Sequence, residues 1–148
     1  MIYKEEVKDL FSVDKSYYLM HCISSDFALG KGIAVGFNKR YDMKSKLKAM
    51  YPRYDKYYRD NKLNGTAIRV DKVINLITKP RYYDKPTLES MKNALSEAAN
   101  ICRKKHVKKL ALPTIGCGLD KLRWKDVKEL IKKTFNNMDI EILVCKQY

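Results

Sequence analysis

Apolar residues along this chain follow two rhythms, short runs of strand length and longer stretches with steps of three and four. Tyr17-Tyr-Leu-Met-His-Cys-Ile23 is an apolar run that predicts a strand. A glycine-bearing segment follows, and Ile33 to about Tyr41 predicts a helix. Residues 43–62, rich in Lys and Tyr, predict a polar-surfaced helix broken at Pro52. Thr66–Val70 and Val73–Ile77 read as two strands joined by a turn at Asp71-Lys72. Pro80 and Pro86 bracket a loop, and Pro86 suits the first turn of the next helix. In that helix Leu88, Met91, Leu95, Ala98 and Cys102 form one stripe to be buried. Lys109–Pro113 predicts a short strand and Thr114–Asp120 a loop. Val127, Leu130, Ile131 and Phe135 mark an amphipathic helix, and Ile140–Cys145 a final strand.

Strands alternate with helices, so the expected core is an α/β sheet with helices on both faces. Ligands of such sheets bind beyond the carboxyl ends of the strands. Two glycine loops stand there, Gly30-Lys-Gly32 and Gly116-Cys-Gly118, each after a strand and before a helix. Glycine lets backbone amides approach a phosphate closely, and a following helix N-terminus adds partial positive charge. The two loops together can clamp both sides of one pyrophosphate, although each alone reads equally as a turn. Val35 stands where GxGxxG needs its third glycine, and no GK is followed by Ser or Thr at P-loop spacing. A dinucleotide fingerprint and a Walker A loop are both excluded.

The chain has 148 residues, which suits one domain over 1–148. About 68–70% of the unfolded surface is buried at this size, so neither staple nor metal is required. Cysteines at 22, 102, 117 and 145 form no CxxC pair, and the histidines are His21 and His106, so no zinc site is expected. Reduced thiols, the absence of an apolar leader and the absence of a membrane-length apolar run suggest a cytoplasmic protein. The net charge is +14, from 31 Lys and Arg against 17 Asp and Glu. Such a field draws polyanions, but the basic residues are spread out without an arginine-rich tail. Tyr51–Tyr58 interleaves aromatic and basic residues, which can stack on bases, yet a plain surface helix is the favoured reading.

Lys79 directly follows the apolar run Val73-Ile-Asn-Leu-Ile-Thr, so it falls at a strand end. Asp120 ends the second glycine loop. His21 and Cys22 read as core residues before they read as a catalytic pair, and Trp124 as a packing residue at a helix start.

These residues fall into an ordered pattern. His21-Cys-Ile-Ser-Ser-Asp26, Gly30-x-Gly32-Ile-Ala-Val, Leu76-Ile-Thr-Lys79 and Leu112-Pro-x-Ile-Gly-Cys-Gly-Leu-Asp120 follow one another as in the macrodomains of the ALC1-like class, which the chain resembles over nearly its whole length. The resemblance implies a three-layer α/β/α fold around a central mixed sheet, with ADP-ribose in a cleft across the strand ends. It implies that Asp9 and Leu10 form the adenine-side element, with Lys8 in place of the usual glycine. It implies that Ser24, Gly30, Gly32, Ile33 and Ala34 line the distal ribose and phosphates. Thr114, Ile115, Gly116, Cys117, Gly118 and Leu119 would wrap the pyrophosphate from the other side. Thr114 replaces an arginine common in relatives, so no side-chain contact carries over to it. Lys79 matches the family's nucleophile and Asp120 its proton-transfer partner, with no metal and no cofactor required.

A free lysine amine titrates near ~10.4, so a neutral nucleophile is scarce at pH 7. The implied solution is a coupled pair in which the amine passes its proton to Asp120 as attack proceeds. Three functions then stand. The first is a hydrolase removing mono-ADP-ribose from Glu and Asp side chains of proteins, with O-acetyl-ADP-ribose deacylation as a companion activity. The second is a hydrolase of ADP-ribosylated DNA, and the third a reader of ADP-ribose without chemistry. The expected partners are ADP-ribose and ADP-ribosylated protein, with ADP-ribosylated DNA as the alternative and no membrane. No apolar surface stripe argues for an oligomer, so a monomer is expected.

Overall fold

The computed structural model describes residues 1–147. Six strands form one mixed sheet: β1 (Ile2–Val7), β2 (Tyr18–Ser24), β3 (Thr66–Val70), β4 (Val73–Lys79), β5 (Lys109–Leu112) and β6 (Glu141–Lys146). Their spatial order is β1-β6-β5-β2-β4-β3. All neighbours are parallel except β3, which runs antiparallel to β4. Five helices complete the fold: α1 (Ile33–Tyr41), α2 (Met43–Met50), α3 (Tyr54–Asp60), α4 (Leu88–Lys105) and α5 (Trp124–Phe135).

The helices cover both faces, as the alternating pattern requires. Met91, Leu95 and Ala98 of α4 and Val127, Ile131 and Phe135 of α5 pack on one face against Met20, Ile74, Leu76, Leu110 and Ile142. On the other face Ala34 and Phe37 of α1 and Met43 and Leu47 of α2 pack against Leu19, Ile23, Ile77 and Leu143. β4 is buried from Val73 to Thr78, which fits its position inside the sheet. Pro52 separates α2 from α3, as expected.

Three details differ from the sequence-based expectation. β1 was not foreseen. Pro86 precedes the cap of α4 and does not stand in its first turn: Thr87 is the N-cap, accepting from the Ser90 amide while the Ser90 hydroxyl accepts from the Thr87 amide, each at 3.0 Å. Leu88 is 40% exposed, so the buried stripe of α4 starts at Met91.

Two polar groups are held inside this frame. Glu5 of β1 accepts hydrogen bonds from Tyr3, Trp124 and Lys128, tying the edge strand to α5. Burial would raise its pKa, but the bonds from Lys128, Tyr3 and Trp124 outweigh that and hold the carboxyl at about 2. His21 is fully buried in β2, stacked on Phe37 with ring centroids 3.8 Å apart. Its Nε2 lies 2.7 Å from Asn75 Oδ1. The Asn75 amide nitrogen already donates to the Ile68 carbonyl, so Nε2 carries the proton and donates.

Burial pushes His21 down to about 4, against the bond to Asn75, which raises it. The unfolded imidazole titrates near ~6.5, so between these values the unfolded chain binds a proton that the folded chain does not. Stability is therefore full above pH ~6.5 and falls as pH drops toward 4, by about 3 kcal/mol. Urea denaturation at pH 7.5 and pH 4.5 measures this loss. His21→Gln keeps a donor toward Asn75 without the titration, and its stability should lose most of that dependence.

Candidate active site

Because β1, β6, β5, β2 and β4 run parallel, their carboxyl ends share one edge of the sheet. The segments after them carry the candidate residues: Asp9 and Leu10 after β1, Ser24 to Ala34 after β2, Lys79 at the end of β4, and Thr114 to Asp120 after β5. β2 and β5 are neighbours, yet β2 leads to α1 on one face and β5 leads to α5 on the other. That divergence is a topological switch point, the place where open α/β sheets leave a crevice.

Across this crevice Lys79 Nζ donates to Asp120 Oδ1 at 2.6 Å, with side chains only 13% and 14% exposed. The two residues are 41 positions apart, and only the fold brings them together. Lys79 is held in place by its own backbone, since its carbonyl accepts from the Ser25 amide at 3.0 Å. Asp120 is held by a compact loop. The Leu122 amide donates to the Gly116 carbonyl at 2.7 Å and the Lys121 amide to the Gly118 carbonyl at 3.2 Å. Gly116 has φ of +75°, and a Cβ there would meet Met91 Cε at 2.9 Å and Leu122 Cδ1 at 3.0 Å. The positive φ favours glycine there, while the two side-chain ends a Cβ would meet are flexible enough to move aside.

The rest of that loop is arranged for backbone contacts. Ile115 is buried in the core, whereas Gly118 and Leu119 are exposed, and Thr114, Gly116 and Cys117 are half-buried. A Cβ at Gly118 would meet nothing within 4 Å, so the backbone there faces open space. On the opposing side Gly32 caps α1 with φ of +61°. Ile33 and Ala34 begin the helix, so their amides have no partner one turn back and point outward from a positive helix end. Gly30 is exposed beside them. Two amide-bearing loops thus face the crevice from the two sides of the switch point.

At the β1 end, Asp9 caps a single 3-10 turn, Leu10–Ser12, accepting from the Phe11 amide at 3.0 Å. Asp9 is exposed and Leu10 buried. Phe11 packs on Phe37 of α1, with centroids 4.9 Å apart, which fixes this turn against that helix. Lys8, where a glycine was expected, donates its amide to the Lys146 carbonyl at 3.0 Å.

Sequence reasoning missed two supporting residues. Asp26 receives the Ser24 hydroxyl at 2.5 Å, the Ala28 amide at 3.1 Å and the Tyr82 amide at 3.0 Å, so it organises the turn after β2. Lys85 Nζ donates to the Leu119 carbonyl at 2.7 Å and fastens the segment after Lys79 to the loop of Asp120. Burial, followed by the nearby Asp120, pushes the Cys22 thiol up, so it stays protonated. Only the Ser-x-Asp spacing after β2 hinted at the first of these. His21 and Cys22 are consecutive on a strand and point to opposite faces, so they make no catalytic pair. Among the described residues no group of three or more metal-binding side chains occurs, and no helix is long and apolar enough to cross a membrane.

The profile of the family described as Macro domain matches residues 21–131. The chain is 36% identical over 140 residues to the ADP-ribose glycohydrolase OARD1 of Homo sapiens, covering 92% of this chain and 86% of that one. Among solved structures it resembles the macrodomain of Mycobacterium tuberculosis DarG, with a TM-score of 0.76, 20% identity and coverage of 99% and 98%. It also resembles Thermosipho africanus DarTG in complex with ADP-ribose, with a TM-score of 0.68, 17% identity and coverage of 98% of this chain and 41% of that one.

Proposed function

This chain belongs to the macrodomain family, and from that premise we propose that it is an ADP-ribosylhydrolase. The observation that carries the proposal is the largely buried Lys79–Asp120 pair at 2.6 Å, set between two glycine loops suited to a pyrophosphate. The relative named an ADP-ribose glycohydrolase supports the same reaction class. ADP-ribose lies along the strand ends, its adenine toward Asp9 and Leu10. Its phosphates lie between Gly30, Gly32, Ile33 and Ala34 on one side and Thr114 to Leu119 on the other. The distal ribose reaches Ser24 and Lys79.

Lys79 gives a proton to Asp120 as its nitrogen attacks C1″ of the distal ribose. The bond from C1″ to the acceptor oxygen breaks, and the acceptor leaves as a carboxylate. The bond from C1″ to the ring oxygen then breaks, a proton passes from the nitrogen to that oxygen, and water hydrolyses the resulting Schiff base to free ADP-ribose and the original amine. A carboxylate is a good leaving group, so Glu- and Asp-linked mono-ADP-ribose on proteins is the first substrate class, with O-acetyl-ADP-ribose as a smaller ester of the same kind. ADP-ribosylated DNA is the second reading, favoured by the charge of +14. A reader without chemistry has no evident use for a cation and carboxylate so placed.

A release assay run in parallel on a glutamyl-ADP-ribosylated protein and on ADP-ribosylated DNA tests this. Release from the protein is the expected result. Release from DNA alone would replace the first substrate class by the second, and tight ADP-ribose binding with release from neither would leave only a reader.

A further inference from the structure

Segment 44–62 carries seven Lys or Arg, two Asp and four Tyr. The fold sets it against the catalytic edge of the sheet. Tyr51, Pro52, Tyr54 and Asp55 join Lys48, Ser25, Asp26 and Phe27 around a hollow of about 370 Å³. The floor of that hollow is bonded to the catalytic strand. Ser25 donates its amide to the Lys79 carbonyl and its hydroxyl to the Pro80 carbonyl at 2.7 Å, and Asp26 donates its amide to the Pro80 carbonyl. The segment after Lys79 meets the same wall, since the Tyr82 amide bonds Asp26.

Aromatic rings crowd both sides of this junction. Tyr54 stacks on Phe27 at 5.4 Å, and Tyr51 and Tyr57 lie against Tyr54 at 5.8 and 5.7 Å. Tyr82 and Tyr83 form a second group, with centroids 5.2 Å apart. Tyr57, Tyr82 and Tyr83 are 54%, 58% and 61% exposed, so each leaves much of its ring open to solvent. Lys48, Arg53 and Lys85 are exposed among them, and Arg81 donates to the Tyr83 hydroxyl at 3.3 Å.

We propose that this rim is a docking surface for single-stranded nucleic acid, with Tyr57, Tyr82 and Tyr83 stacking on bases and Lys48, Arg53 and Arg81 meeting phosphates. Open rings interleaved with cations hold a single strand without reading its sequence. A duplex hides its base faces from such rings. An acidic peptide answers the lysines but leaves the tyrosines bare. The position gives the surface its use: a strand crossing Tyr82 passes three residues from Lys79. That use rests on the hydrolase reading, but the binding does not.

Fluorescence anisotropy with an unmodified, labelled oligothymidylate tests the surface on the whole chain. Binding should be tighter than to the corresponding duplex or to polyglutamate, and should weaken with salt. Tyr57→Ala and Tyr82→Ala should each weaken it roughly 5- to 150-fold, whereas Tyr57→Phe and Tyr82→Phe should bind as the parent does. Calorimetric titration of the same variants with ADP-ribose should show no change, which excludes misfolding. Equal binding of polyglutamate, or alanine variants that bind the oligonucleotide as the parent does, would overturn the proposal. Failure of the parent chain to release ADP-ribose from any conjugate would overturn the hydrolase reading and leave this surface standing.

Discussion

Replacing Lys79 by alanine is expected to slow ADP-ribose release by at least about 10³-fold while leaving ADP-ribose binding close to the parent. The two effects separate because most of the ligand is held elsewhere. The pyrophosphate is assigned to backbone amides of the two glycine loops, which do not involve this side chain. Lys79→Arg sharpens the test. A guanidinium keeps the charge and the pairing with Asp120, yet it does not become neutral near pH 7. If Lys79 served only as a cation that steadies the ligand, arginine would restore turnover. If it is the nucleophile, arginine remains as inactive as alanine. Single-turnover release measures the rate, and calorimetric titration measures the binding. Trapping with a borohydride reductant adds a chemical readout, because the Schiff base should become a stable adduct on residue 79. Full turnover by the alanine variant would refute the nucleophile assignment.

Asp120→Asn is expected to cost about 10²- to 10⁴-fold in release, the range for removal of a general acid or base. The side chain keeps its size and a hydrogen-bonding oxygen toward Lys79. What it loses is the capacity to take the amine's proton. Lys79 is only 13% exposed, so water replaces Asp120 poorly as proton acceptor. The Asp120 loop is stabilised by its own backbone bonds and by Lys85, so the variant should still bind ADP-ribose. Unimpaired release by Asp120→Asn would remove the proton-transfer role. Parallel loss of binding and release would recast Asp120 as a residue that shapes the loop.

The interior of the fold could be read from the chain because its buried strands are mainly apolar runs, with Asn75, Thr78 and His21 as the polar exceptions. Val73–Thr78 is the clearest case, and the strand ends there placed Lys79 correctly. β1 escaped because its pattern is inverted. Its partly buried positions are Tyr3 and Glu5, while Ile2 and Val7 are 58% and 53% exposed. Glu5 is accommodated there through Tyr3, Trp124, Lys128 and Lys146, and the last three lie more than a hundred residues away. Leu88 erred in the opposite sense, because periodicity gives an angle around a helix axis and not where along it packing begins. At the site, the glycine loops were legible from spacing, and Lys79 and Asp120 from a family resemblance. Their coupling was implied by that resemblance, whereas the way neighbouring strands send their loops to opposite faces to bring them within 2.6 Å is defined only by the fold. Asp26 and Lys85 were overlooked because they act on backbone groups, whose positions only the folded chain defines.

The order of the strands also sets the order of assembly. β6, the last element, is inserted between β1, the first, and β5, and β1 pairs with nothing else in the sheet. During synthesis the opening strand therefore waits until residues 141–146 have left the ribosome. Until then Leu110, Ala111 and Leu112 present an uncovered hydrogen-bonding edge. Completion is a single late event that closes both halves of the sheet at once, and the nascent chain is most prone to self-association just before it.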